Sequence, residues 1–128
     1  MEPRDVARVY GAGRVAVGAA LLIAPRALGR VWLGRPADTP AGAVAMRALG
    51  LRDAVLGGMA LHTVDHPEVA PRWQRTCAAV DALDLAATAA ARDALPPVGS
   101  LLVMAMAAAG AATGGWLGSA LSRPAPSA

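Results

Sequence analysis

Asp81 and Asp84 stand about one helical turn apart in DALDLAATAAA, a stretch otherwise made almost wholly of Ala and Leu, and they are the residues of this sequence best placed to do chemistry. Two carboxylates at that spacing repel unless arginines stand between them, and without such partners one of them holds its proton near neutral pH. A protonated carboxyl in an apolar setting is a general acid, and an ionised one is a general base. Cys77, Asp81, Asp84 and Thr88 follow i, i+4, i+7, i+11 spacing and so form one polar stripe on a helix. Arginines to match it lie elsewhere: Arg14, and Arg47 and Arg52 in AMRALGLRDAVLGG at 45–58, a segment that also carries Asp53. Arg52 is suited to stabilise developing negative charge or to hold a carboxylate in its active form. Catalytic candidates are therefore Asp81, Asp84 and Arg52, with Arg14, Arg47, Asp53, Tyr10 and Thr88 as candidate binding residues.

Other chemistries find less support. His62 and His66 have helical metal-ligand spacing, but Pro67 follows at once and no further His, Cys or carboxylate cluster backs them, so no metal is expected. There is no phosphate loop, nucleophile elbow or dinucleotide fingerprint, and no cofactor is expected. Cys77 is the single cysteine, which excludes an internal disulfide. A net charge of +3 with twelve basic residues, all of them Arg, raises nucleic acid as a partner. Those arginines are scattered over apolar segments and loops instead of lining one face, which argues against it.

The elements that must position these residues are set by an unusual composition. The chain has 128 residues, 55% hydrophobic and 16% charged, where a soluble domain carries about a quarter charged. The apolar mass is Ala, Val and Leu with 14 Gly and no Phe, which suits helices that approach one another closely, as in membrane bundles. The Ala, Gly and Arg excess marks a GC-rich bacterial genome. Proline and charge cut the sequence into four apolar segments of about spanning length, at about 5–24, 41–63, 73–91 and 98–122. By hydropathy only the last would pass alone, since interior charges in the others cost about 2.5 to 3.5 kcal/mol each on an insertion scale. The fold expected is all-α: a single four-transmembrane-helix bundle over 1–128, multi-pass in the bacterial cytoplasmic membrane. A soluble Ala-rich bundle is the structural alternative. PRALGRVWLGRP at 25–36 sets Leu28, Val31, Trp32 and Leu33 against Arg26, Arg30 and Arg35, as expected of a short interfacial helix.

The first apolar run could be a signal peptide, but Pro25 and Arg26 stand where a small-x-small cleavage site belongs, so retention as a membrane helix is expected. With four spans, Arg4, Arg8, Arg72, Arg75 and Arg123 fall toward one side and Arg26, Arg30, Arg35 and Arg92 on the other. The positive-inside rule has no asymmetry to act on.

Depth is the strongest pattern. The midpoint of the first segment falls near Arg14, of the second near Arg52 and Asp53, and of the third near Asp81 and Asp84. Arg47 lies about one and a half turns off centre, within reach for a long side chain. Three arginines thus balance three aspartates at one level, as a buried network requires. Arg52 and Asp53 project about 100° apart and so need partners on two sides or a water-filled cavity. A fully paired network fixing helix register and a binding or catalytic cavity both fit.

An internal similarity adds to this. Arg8-x-x-Gly11-x-x-Arg14-x-x-x-Gly18 aligns with Arg47-x-x-Gly50-x-x-Asp53-x-x-x-Gly57 at an offset of 39 residues. In each, the glycines and the charge between them share one helix face. Gly110, Gly114 and Gly118 form a second small-residue ladder, for close contact within the bundle or across a homo-oligomer. Tyr10 reads as an interface anchor.

MRALGLRDAVLGGMAL and RVYGAGRVAVGAALLIAP resemble the Arg-x-x-Gly helices of the DoxX-like superfamily of small four-helix bacterial membrane proteins, over residues 5–92. The resemblance implies a four-helix membrane bundle. Some members are associated with oxidoreductase or quinone-linked complexes, but no catalytic residues carry over, and the Arg52-Asp53 pair and Asp81/Asp84 depart from the pattern. The function expected is a lipid-phase component that binds an apolar small molecule or serves a larger complex. The alternatives are a membrane-embedded acid/base enzyme of isomerase, cyclase or epoxide-opening type, or proton-coupled transport by a homo-oligomer.

Overall fold

Proline marks the first turn of each of the five α-helices among the described residues. In the computed structural model, which describes residues 1–123, α1 spans Pro3–Ile23, α2 Pro25–Leu33, α3 Pro40–Thr63, α4 Ala70–Ala91 and α5 Pro97–Ala120, each with Pro in its first two positions. Proline lacks an N–H where the first helical turn needs none and its φ is already helical, so it marks a start and blocks the preceding helix from continuing. Thr39 adds a side-chain cap to α3, its Oγ1 accepting from Gly42 N at 3.0 Å. Gly34 closes α2 at a φ of 71°, in the left-handed region that favours glycine. Short 3-10 turns at Arg35–Asp38 and Arg92–Ala94 complete the connections. The four long helices lie within about one turn of the segments expected from proline and charge, and the described residues contain no strand.

The helices associate as two tight antiparallel pairs, α1 with α3 and α4 with α5, and each pair is seamed by glycine. In the first pair Gly11 lies on Gly57 and Gly18 on Gly50 and Ala54, so the two copies of the sequence repeat pack on each other head to tail. A Cβ at Gly18 or Gly57 would collide with backbone atoms of the opposing helix. In the second pair Gly114 faces Gln74 and Ala78 of α4, and Gly118 faces Pro71 and Arg75. The ladder that the sequence offered either to the bundle or to a homo-oligomer is therefore taken up inside the chain.

Contact between the pairs is thinner. At one end Ala7, Val64 and Leu117 form a small apolar cluster that ties α1 to α5. Trp73 Nε1 donates to the Leu56 carbonyl at 3.0 Å and ties α4 to α3. At the other end α2 enters, and Gly99 at the start of α5 lies against the Val31 carbonyl with no room for a side chain.

The interior is small and polar and the exterior large and apolar. Arg14, Asp81, Gln74, Thr88 and Ser100 are buried, while Val9, Ile23, Leu51, Leu83, Val98 and Leu101 are more than half exposed. Two helices, α1 and α5, are long and apolar enough to cross a membrane. Hydropathy thus admits α1 beside the last segment, since its apolar run dilutes Arg14. Helices α3 and α4 do not qualify: Arg47, Arg52 and Asp53 lie in one and Arg72, Arg75, Asp81 and Asp84 in the other.

Candidate functional site

Arg14 sits at the middle of α1 and reaches across both helix pairs. Its Nη2 donates to Asp53 Oδ1 of α3 at 2.9 Å, and its Nη1 donates to both carboxylate oxygens of Asp81 on α4 at 2.7 Å. Only 8% of the Arg14 side chain is exposed, against 15% for Asp53 and 10% for Asp81. Arg52 of α3 makes the corresponding connection outward, with Nη1 and Nη2 on Asp84 at 3.0 and 2.5 Å and a longer contact of 3.4 Å to Asp53 Oδ1. The five groups alternate in sign in the order Asp81, Arg14, Asp53, Arg52, Asp84.

The spacing of residues explains this chain of contacts. Arg52 and Asp53 diverge on their helix, and the structure supplies the partners on two sides that this requires: Asp53 turns to Arg14 and Arg52 to Asp84. Asp81 and Asp84, one turn apart, are each taken by a different arginine, which removes their mutual repulsion. Tyr10 lies one turn before Arg14; its hydroxyl donates to Asp81 Oδ2 at 2.6 Å and accepts from Arg14 Nη1 at 3.0 Å. It is thus a member of the network, not an anchor at a surface, and the i, i+4 spacing to Arg14 was the signal for it. Gly110 of α5 faces the Asp81 carboxylate, and any side chain there would collide with it.

Two expected members stand elsewhere. Arg47 is exposed on the outer face of α3, because six residues of helix turn it about 120° from Asp53. Reach along the axis was sufficient, but direction was wrong. Without Arg47 the network holds two arginines against three aspartates, so the expected charge balance gives way to one excess negative charge. Thr88 is buried one turn beyond Asp84 beside a separate cavity of about 150 Å³ with Trp32 and Leu95, and its Oγ1 has no partner among the described residues. His62 and His66 hold their rings 6.0 Å apart, and no group of three metal-capable side chains converges among the described residues.

The network forms the floor of a cleft of about 780 Å³ between α1 and α5. Val9 and Tyr10 of α1 and Gly110 and Thr113 of α5 line it on one side of the network. Leu28, Val31 and Trp32 of α2 close the other, so the apolar face of this short helix, expected to lie at an interface, lines the cavity. The walls are apolar, with Val17 and Leu21 on α1 and Leu102 and Met106 on α5. Its only charged lining groups among the described residues are Arg14, Arg52, Asp53, Asp81 and Asp84. Nothing in the sequence marked the wall residues, because aliphatic side chains that line a cleft have the same pattern as those that face outward. No family model, curated protein or solved structure matches this chain.

Proposed function

We propose that this chain is a four-span integral membrane protein that binds an apolar or amphiphilic small molecule in the cleft between α1 and α5. The observation that carries the reading is the cleft itself: about 780 Å³ of apolar-walled space floored by an ion-pair network. That volume lies in the range of small-molecule sites, which are mostly apolar with a few placed polar groups.

The membrane part rests on the inverted distribution of side chains and on depth. Large aliphatic residues exposed on α1, α2, α3 and α5, with Leu83 on α4, are at home in lipid and are a liability in water. At about 1.5 Å per residue, α3 and α4 are each longer than the roughly 30 Å hydrocarbon core. Their central charges are partnered inside the bundle, which is where intramembrane ions are tolerated. Arg14, Asp53, Asp81 and Gly110 all stand within about a turn of the middle of their helices. The helix patterns that resemble the DoxX-like superfamily are compatible with this architecture and carry no activity with them.

Binding is favoured over acid–base catalysis by Asp81 and Asp84. Each of those carboxylates has both oxygens engaged by an arginine, which leaves neither oxygen free to meet a substrate. The test is a structure in lipid nanodiscs of the wild-type chain and of Met106→Trp, which fills the cleft from α5. Elongated density in the wild-type cleft, absent from the variant, is expected. A chain that stays in the aqueous fraction without detergent, or a cleft collapsed onto the network, overturns the reading.

A further inference from the structure

We infer that the cleft selects a lipophilic ammonium: a protonated amine on an apolar body, its head against Asp53. This rests on the reading that the cleft binds a small molecule and adds the class of ligand.

Two independent observations lead there. The first is charge. With Arg47 on the outside of α3, every ionised group on the cleft lining belongs to the network, and two arginines face three aspartates. One negative charge is left without a partner in an apolar setting, where an uncompensated ion is strongly unfavourable. The second is geometry. Asp81 and Asp84 have both oxygens bonded to arginine. Asp53 differs: Arg14 and Arg52 both donate to its Oδ1, and Oδ2 accepts nothing among the described residues. That oxygen is also not among the sealed, unpartnered atoms, and Asp53 lines the cleft. The excess charge and the open acceptor therefore fall on one residue, facing space that a ligand can occupy.

The chemistry that answers both is a positively charged N–H donor. A neutral alcohol supplies a donor but no charge, and a carboxylate adds a second negative charge beside the first. The arginines do not offer an anion site in exchange, since their terminal nitrogens are already committed to the three aspartates. The apolar walls on α1 and α5 set the rest of the ligand: an aliphatic or aromatic body without further charge.

The experiment compares three probes of one chain length, dodecylamine, dodecanol and dodecanoate, by isothermal titration into the protein in neutral maltoside micelles, with empty micelles as blank. Dodecylamine is expected to bind at least about tenfold more tightly than dodecanol, with dodecanoate weakest, a factor corresponding to one charge-assisted contact. Asp53→Asn is expected to bring the amine down to the level of the alcohol. Met106→Trp is expected to weaken amine and alcohol together, which places both in the cleft. If dodecanol binds as tightly as dodecylamine in the wild-type chain, or dodecanoate binds best, the ammonium assignment is wrong while the cleft remains a binding site. If none of the three binds, the cleft reading falls with it. The ranking in the wild-type chain decides the matter even if Asp53→Asn does not fold.

Discussion

Arg14 and Asp53 occupy corresponding positions of the two repeat segments and meet across the α1–α3 interface, Nη2 to Oδ1 at 2.9 Å. Two copies of one pattern packed antiparallel bring like positions together, so the same charge at both would face itself. Opposite charges at this one position turn a repulsive contact into the centre of the interface. The glycines on either side, Gly11 on Gly57 and Gly18 on Gly50, bring the backbones close enough for the ions to meet. Replacing Arg14 by Gln strands Asp53 and Asp81 at once, and should destabilise the fold by about 3–5 kcal/mol. Adding Asp53→Asn and Asp81→Asn to that variant should recover much of the loss. Thermal unfolding in detergent measures both, and a triple variant no more stable than Arg14→Gln alone would contradict the account.

The two ends of the network should differ in consequence. The Asp81 side chain is 10% exposed and its partner Arg14 8%, whereas Asp84 and Arg52 are 25% and 35% exposed. Desolvation makes the loss of one member of a buried pair expensive, while a partly solvated ion can fall back on water. Asp81→Asn is therefore expected to lower stability by several-fold more than Asp84→Asn, for which about 1 kcal/mol is expected. Equal losses in denaturant titrations of the two variants would mean that burial does not set the contribution of these pairs.

Glycine substitutions separate packing from helix propensity. Gly58 and Gly115 face open space, and Ala there should raise stability by about 0.5–1 kcal/mol, the usual gain over Gly in a helix. Gly18→Ala and Gly57→Ala put a Cβ against opposing backbone, which cannot move aside as a flexible side chain can. Those two should lose stability despite the same gain in propensity. Thermal melts of the four variants in one detergent give the comparison, and a stabilising Gly57→Ala would show that α1 and α3 are not packed as described.

How much of this was written in the sequence follows from which physical signals survive in an apolar chain. Helix bounds were legible because proline at Pro3, Pro25, Pro40, Pro71 and Pro97 acts locally. The level of the charges was legible because depth is only counting along an axis. Facing was not. In a soluble helix, polar residues mark the outside, but here the exterior of α3 carries Val44, Leu51 and Val55 and the interior carries glycine beside ions. With both faces apolar by type, reach alone admitted Arg47 to the network, and the position of its Cβ excludes it. The cleft was hidden for the same reason. It is assembled from residues of all five α-helices, a tertiary relation with no local pattern.

The same ambiguity makes the number of spans a matter for experiment. Two helices qualify as spans on their own composition, and α3 and α4 are included because Arg52, Asp53, Asp81 and Asp84 are partnered within the bundle. His66 lies in the turn between α3 and α4 and Ala94 in the turn between α4 and α5, both exposed. If all four long helices cross, these turns are on opposite sides of the membrane. If only α1 and α5 cross, everything between them stays on one side. Single cysteines at His66→Cys and Ala94→Cys, treated with a membrane-impermeant maleimide on sealed cells, separate the cases, because native Cys77 is buried. Complementary labelled fractions are expected, whatever mixture of orientations the balanced arginines allow. Equal full labelling, or equal protection, would mean that α3 and α4 do not cross beside α1 and α5, and would contradict both the four-span reading and the packing that sets Asp53 and Asp81 on Arg14 at the middle of α1.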